Sequence, residues 1–264
     1  MVEMPDFINT NMSDLALQLI VGILVGIGAG YVGSFMVLRR MSLVGDALSH
    51  VALPGIAISL ILNINPFFGA FGALILAVVA IWALEKRTEL PSETLVGILF
   101  TLSLALGLLL TPEPELLEAL FGNIAKIGIS DLILTLVIVT AIIFIIKKIS
   151  NNLMLGIVSK ELAQAMKIPI HKINFIFLFL VALIVALGLK VVGTLLMGAL
   201  VIIPAAAAKN ISISLSQYSL WAILFGAMSA VIGLLTAQYF NISSGPTIVL
   251  TSGVIFLVTL VFKK

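Results

Sequence analysis

Cysteine is absent from this 264-residue chain, and only 10% of its residues are charged. The lack of cysteine excludes disulfides, thiolate zinc sites, iron–sulfur clusters and thiol catalysis. Soluble domains carry about 25% charged residues, and no soluble core of this size could hide a composition that is 61% hydrophobic. The first residues carry Glu3, Asp6 and Asp14 but no Lys or Arg, so they lack the basic start of a signal peptide. The net charge of +2 gives no reason to expect nucleic-acid binding.

Apolar stretches of membrane-spanning length recur along the whole chain. About 20 apolar residues cross the hydrocarbon as a helix, and runs such as 102–110 do not alternate as barrel strands would. The sequence therefore predicts an all-α, polytopic integral membrane protein with about eight or nine transmembrane helices in a single domain, 1–264. The weakest boundary is at 190/192, where Lys190 alone separates two segments. The predicted spans are 16–38, 42–62, 66–84, 94–110, 131–147, 173–190, 192–208, 215–239 and 246–262.

The basic residues predict the orientation of these spans, because loops rich in Lys and Arg stay in the cytoplasm. With the N-terminus outside, only Lys126 and Lys190 of the 14 basic residues lie on the outer side. The reverse orientation inverts that ratio. We therefore expect a cell-membrane protein whose N-terminus is outside and whose C-terminus is cytoplasmic.

Asp46 and His50 are the clear ionisable exceptions inside a predicted span. A carboxylate there costs about 2.5–3.5 kcal/mol by the lower estimates, so it needs a partner, an ion or water. The spacing i, i+4 directs both side chains from one face of the helix. Pro54, followed by Gly55, deprives the His50 carbonyl of its helical N–H donor, so we expect the helix to be interrupted there.

Two interpretations of this pair stay open from spacing alone. Asp46 and His50 can hydrogen-bond to each other or to a neighbouring helix, or they can bind a cation together. Carboxylate and imidazole suit zinc, manganese or ferrous iron, whereas the absence of thiolate disfavours copper(I). Two side chains are too few to complete a metal shell, so a twofold homodimer, or water, would have to supply the remaining ligands.

Two predicted loops carry further signals. The outer loop, 111–130, contains Glu113, Glu115 and Glu118, and is either simply solvated or an attractor for cations or a cation-delivering partner. In the inner loop, 150–172, Ser159 can cap a short helix with Leu162 and Met166 on one face. We expect Pro169 to end that helix, which would lie on the membrane or dock on another protein.

The run RRMSLVGDALSHVALPG at 39–55 resembles the signature of the zinc/manganese/iron permease family of ABC transporters. The run VVGTLLMGALVIIPAA at 191–206 is similar to the second characteristic block of that family, and LFGN at 120–123 also resembles a family element. The resemblance covers essentially the whole chain. It implies an architecture similar to that of vitamin B12-type importers and an importer of Zn²⁺, Mn²⁺ or Fe²⁺, with zinc slightly ahead because imidazole binds it more tightly than manganese.

The same resemblance implies partners and roles for individual residues. Such permeases work as homodimers with two cytoplasmic ATPase subunits, and an extracellular or periplasmic metal-binding protein delivers the ion. In that family the aspartate and histidine of the first block are associated with the metal path, and they correspond here to Asp46 and His50. Pro54 and Gly55 form the helix break beside them. The ATPase-coupling segment falls within 160–169, and its expected residues are Glu161, Leu162, Ala163 and Met166.

The chain itself is not expected to be an enzyme or to hold a permanent cofactor. It contains no Gly-Lys dipeptide and hence no P-loop, so ATP hydrolysis would belong to another polypeptide. A membrane metalloprotease would need two histidines spaced as H-E-x-x-H, whereas His50 and His171 are far apart and His171 lies in a loop. An ion-coupled or passive carrier that uses Asp46 and His50 as a proton relay remains the alternative, and a permease for a metal chelate would need a wider path.

Overall fold

The computed structural model describes residues 12–88, 90–110, 120, 122, 124 and 127–262, and its regular elements over these residues are helices. The prediction of an all-α protein is confirmed. The bounds of the helices are α1 Met12–Leu38, α2 Ser42–Val51, α3 Leu53–Ile61, α4 Pro66–Arg87, α5 Ser92–Leu110, α6 Ile129–Val158, α7 Lys160–Ala165, α8 Ile170–Val192, α9 Met197–Ile211, α10 Leu215–Phe240 and α11 Ser244–Val261.

Eight stretches in the described part of the chain are long and apolar enough to cross a membrane, with α2 and α3 together forming one of them. Helix α9 is the ninth apolar segment, but its 15 residues extend only about 22 Å. That length is less than the roughly 30 Å of bilayer hydrocarbon. The predicted count of eight or nine is therefore confirmed, with α9 as a helix of reduced length.

Small residues allow α1 to lie directly against its neighbours. A Cβ added at Gly26 or at Gly30 would collide with a backbone carbonyl oxygen of α10, that of Gly226 or Ala222. A Cβ at Gly33 would collide with the carbonyl oxygen of Val201 on α9. In a bilayer, such close backbone approach replaces the hydrophobic effect as the source of helix association. Helix α1 thus holds α9 and α10 in place.

Two boundaries differ from the sequence prediction. Helix α6 continues to Val158 instead of ending at residue 147, so the first part of the predicted inner loop, 150–158, is helical. Its 30 residues extend about 45 Å, beyond the thickness of the hydrocarbon. Isoleucine, leucine and valine keep the helical pattern running past Lys147 and Lys148, and charge alone does not end a helix.

The break predicted at Lys190 lies three residues later. Lys190 is within α8, and its Nζ forms a 2.6 Å ion pair with Asp131 Oδ1 at the start of α6. The helix ends at Gly193, whose φ of 82° is accessible to glycine but strained for other residues. The predicted segment 192–208 is accordingly α9, shifted to Met197–Ile211.

The helix ends define two sides of the bundle. Arg39, Arg87, Lys209 and helix α7 share one side, which we call the basic end, and the Asp131–Lys190 pair marks the opposite end. The predicted acidic patch of Glu113, Glu115 and Glu118 lies outside the described residues.

Candidate ion site

Helix α2 is the element that carries the two ionisable residues into the bundle. The chain turns sharply after α1 through Arg40, which has a φ of 59°, and the Met41 N–H closes the turn on the Met36 carbonyl at 2.9 Å. Most of α2 from Val44 onward is then buried. Asp46 and His50 therefore lie inside the packed helices, one turn apart.

The α2–α3 span is interrupted at Ala52, two residues before Pro54. Ala52 keeps right-handed helical angles, φ −69° and ψ −24°, so the interruption is a kink and not an unwound loop. Pro54 occupies the first turn of α3, where its missing N–H is tolerated. A Cβ added at Gly55 would collide with the Gly69 carbonyl, which means that Gly55 serves the crossing of α3 and α4.

The first turn of α9 packs against Asp46. A Cβ added at Gly198 would lie 2.5 Å from Asp46 Cβ and 2.8 Å from its Oδ1. The first regular helical hydrogen bond at this end joins the Leu200 N–H to the Leu196 carbonyl, so the preceding N–H groups are not used within α9. The start of a helix stabilises nearby negative charge by up to about 2 kcal/mol in partly buried geometries. The carboxylate thus sits where α9 favours its charge.

His50 lies one turn further along α2 beneath α5. Its side chain is 8% exposed, and the Phe100 ring of α5 contacts it edge-on, with the ring centres 5.3 Å apart. Nδ1 of His50 is buried without a hydrogen-bond partner. A buried ring nitrogen with no donor or acceptor beside it is an unused ligand position.

Ser49 joins α2 to the turn before α9. Its hydroxyl, which is fully buried, can donate to the carbonyl of Thr194 at 2.6 Å or to that of Asp46 at 2.7 Å. The Gly193 conformation places Thr194 there, because it ends α8 and directs the chain towards α2. The bond to Thr194 ties the segment between the two ionisable residues to the α8–α9 turn.

We call Asp46, His50 and the helix turns that hold them the candidate ion site. Within one chain, this site offers one carboxylate and one imidazole as ligands. Among the described residues, no group of three or more His, Cys, Asp or Glu side chains could hold a metal ion. One chain alone therefore offers an incomplete shell.

The predicted coupling segment forms a separate helix, α7, at the basic end and does not meet the ion site. Ser159 caps it by accepting a hydrogen bond from the Leu162 N–H at 3.1 Å, and Glu161 lies in the first turn. Leu162 and Met166 are 48% and 58% exposed, whereas Ala163 is fully buried.

The end of α7 differs from the prediction. Lys167, with a φ of 54°, ends the helix, and the Ile168 N–H bonds to the Ala163 carbonyl at 2.9 Å. Pro169 does not end it but precedes α8, so the prediction for Pro169 was wrong. A residue with left-handed backbone angles commonly ends a helix. Lys167 does so here, two residues before the proline.

Sequence reasoning missed Phe100, which contacts His50, and Gly198, which packs against Asp46. It also missed Thr194, whose carbonyl accepts the hydrogen bond from Ser49 between the two ionisable residues. Thr194 and Gly198 lie in the second characteristic run, 191–206, but nothing in their spacing indicates contact with residues about 150 positions earlier. Ser49 was missed as well, because a serine inside a helix is ordinarily explained by a local bond to its own backbone.

A family model described as "ABC 3 transport family" matches residues 12–263 of the chain. The manganese transport system membrane protein MntC of Listeria monocytogenes is 34% identical over 254 residues, which cover 95% of this chain and 91% of that protein. The manganese import system permease protein ScaB of Streptococcus gordonii is 37% identical over 245 residues, covering 91% and 88%. The high-affinity zinc uptake system membrane protein ZnuB of Haemophilus influenzae is 35% identical over 252 residues, covering 93% and 96%.

Two solved structures share the fold. PsaBC from Streptococcus pneumoniae, solved in complex with Fab, superposes with a TM-score of 0.83 at 36% identity, covering 94% of this chain and 91% of that one. An inward-facing protein described as a metal-chelate type ABC transporter superposes with a TM-score of 0.76 at 19% identity, covering 94% and 85%. The second likeness concerns the fold alone.

Proposed function

The chain belongs to the ABC 3 transport family, and we propose that it is the permease subunit of an ATP-driven importer of divalent transition-metal ions. The observation that carries the proposal is the placement of Asp46 and His50 on a buried, interrupted helix against the start of the short helix α9. Transporters commonly build their ion sites where such interrupted helices meet inside the membrane.

The proposed cargo is Zn²⁺ or Mn²⁺. A carboxylate oxygen and an imidazole nitrogen suit both ions, and Fe²⁺ as well. Imidazole prefers zinc to manganese, which places zinc first on ligand chemistry. The names of the relatives, two for manganese and one for zinc, support either metal.

A homodimer would supply the ligands that one chain lacks. Two copies related by a twofold axis bring two carboxylates and two imidazoles together, which is enough for a four-ligand shell. The exposed part of Asp46 is available for such sharing. The His50 ring is not available while Phe100 covers it, so the shared site requires the Phe100 ring to move aside.

We place the basic end in the cytoplasm, because loops rich in Lys and Arg remain on that side of the membrane. Helix α7 is then on the side of the ATP-hydrolysing partner, and its exposed Leu162 and Met166 would contact that partner. The opposite end would receive the ion from a metal-binding protein outside the membrane. On this proposal the chain is a single permease domain, and ATP hydrolysis belongs to the partner subunit.

The deciding experiment replaces both ionisable residues with an apolar one. Cells that express the complete transport system with the Asp46→Leu, His50→Leu double variant are given radioactive zinc or manganese. We expect a permease that inserts and folds normally but whose uptake falls to background, because the ligands are gone while no buried charge is left unpaired.

The chain's other histidine is the matched control: His171→Leu, at an exposed position, should retain normal uptake. Normal uptake in the double variant would mean that Asp46 and His50 are only a structural pair. Removing both members of a structural pair leaves no buried polar group without its partner, so the protein would fold and transport normally. Uptake that persists after the ATPase is inactivated would instead favour the ion-coupled or passive carrier.

A further inference from the structure

Arg39 lies in the turn between α1 and α2, and its side chain packs among other helices instead of extending into water. Its Nη2 donates a hydrogen bond to Asn174 Oδ1 at 2.5 Å. Its Cζ lies 5.1 Å from the centre of the Phe177 ring, a cation–π contact. Asn174 and Phe177 are three positions apart at the start of α8, so that one guanidinium contacts both.

This environment is unfavourable for a positive charge. Nη1 is buried without a hydrogen-bond partner, and burial lowers the pKa of Arg39, an effect that the Glu85 carboxylate of α4 partly offsets. No salt bridge joins Arg39 to Glu85 in the described part of the chain. An apolar side chain would fill the same space without the desolvation cost, so packing alone does not explain an arginine here.

Asn174 is closely linked to helix α7. The turn after α7 is held by the bond from the Ile168 N–H to the Ala163 carbonyl at 2.9 Å. The hydrogen bond from the Ile173 N–H to the Pro169 carbonyl, at 3.1 Å, belongs to the first turn of α8. Only four residues, 166–169, separate α7 from α8, so a displacement of α7 acts on the start of α8, and on Asn174 with it.

On its other side, Arg39 is closely linked to the candidate ion site. The α1–α2 turn is closed by the bond from Met41 to Met36, and α2 begins at the next residue, Ser42. Asp46 follows one helical turn later. A shift of Arg39 is therefore passed to Asp46 through one short turn and one continuous helix.

We propose that Arg39 is a positioning residue that couples helix α7 to the candidate ion site through Asn174. The inference rests on the proposed function, because it takes α7 as the contact for the ATPase. The guanidinium fork keeps the start of α8 and the start of α2 in register, so that movement of one displaces the other.

The test uses the permease reconstituted with its ATPase and metal-binding protein, and measures metal ions carried per ATP hydrolysed. Arg39→Gln and Asn174→Leu should each leave assembly and ATP hydrolysis intact and lower that ratio by roughly tenfold, within the usual range for coupled sites. The double variant should lose no more than either single variant, because both remove one contact. Arg40→Gln, at the adjacent exposed arginine, should keep the wild-type ratio.

A wild-type ratio in Arg39→Gln overturns the proposal, as does a loss of stability with no change in the ratio. If Arg39→Gln does not fold, Asn174→Leu decides, because it leaves the contact with Phe177 in place. Metal transport by the wild-type protein without ATP hydrolysis would instead refute the proposed function, since no ratio could then be defined.

Discussion

Gly198 and Asp46 form a contact that leaves no room for a side chain on α9. The distances from an added Cβ to Asp46 Cα and Cβ are 2.6 and 2.5 Å, and both atoms belong to a helix that cannot yield locally. Glycine is required here because Asp46 leaves no room for a side chain. The backbone angles do not require it, because Gly198 lies within a regular helix.

We expect Gly198→Ala to destabilise the protein by about 1–3 kcal/mol, the usual cost of overpacking, and to reduce metal uptake by pushing α9 away from Asp46. Gly253→Ala in α11 is the control, because its added Cβ meets no atom within 4 Å; alanine there should be neutral or stabilising by up to about 1 kcal/mol. Thermal unfolding in detergent and uptake in cells measure the two effects. Equal behaviour of the two variants would contradict the assignment of this contact.

Helix α7 is short but displays two different surfaces. Its buried Ala163 fastens it to the bundle, whereas Leu162 and Met166 leave about half of their surface exposed. Exposed apolar side chains next to each other are typical of a contact with another protein. On the proposed function, this short element would serve both as an anchor and as the docking surface for the ATPase.

Leu162→Glu or Met166→Glu should leave the permease folded but weaken its binding to the ATPase and abolish metal uptake. Ala163→Glu should instead destabilise the permease itself, because a charge enters a fully buried position. Co-purification with the ATPase and thermal unfolding separate these outcomes. Ile242→Glu, at a 54% exposed position on the opposite end, is the control and should bind the ATPase normally. Normal co-purification and uptake with Glu at 162 and 166 would show that α7 is not the docking surface.

At the scale of the whole molecule, the proposed homodimer would supply the ligands that one chain lacks at the candidate ion site. Leu43, Asp46 and His50 follow one face of α2 at helical spacing, and Leu43 is 68% exposed. If two copies share the site, this face must lie near the twofold axis. The dimer is then part of the ion path and not only a mode of assembly.

Leu43→Cys should therefore form disulfide-linked dimers when membranes are mildly oxidised. The chain has no cysteine, so the introduced thiol can react only with its copy or with another protein. Val258→Cys on α11, at a 52% exposed position, should remain unlinked. Gel electrophoresis without reductant measures the outcome, and cross-linking of Val258→Cys in preference to Leu43→Cys would place the dimer contact elsewhere.

The sequence by itself determined the class of the protein, because the signals involved are local. Bilayer-length apolar runs specify membrane helices wherever they pack, and the two ionisable residues in one span indicate a functional site without reference to any other helix. The capped helix after Ser159 likewise depends only on neighbouring residues. Even the misplaced stops, eleven residues early at 147 and four residues late at Pro169, fall at the ends of correctly identified helices.

Only the tertiary structure decided what surrounds Asp46 and His50. Phe100 and Gly198 reach them from helices far away in the chain, and Arg39 meets Asn174 across 135 positions. Such contacts arise from the angles at which helices cross, and those angles depend on small residues, such as Gly26 and Gly226, packing backbone against backbone. No pattern within a single segment encodes that geometry, because it is a property of pairs of helices.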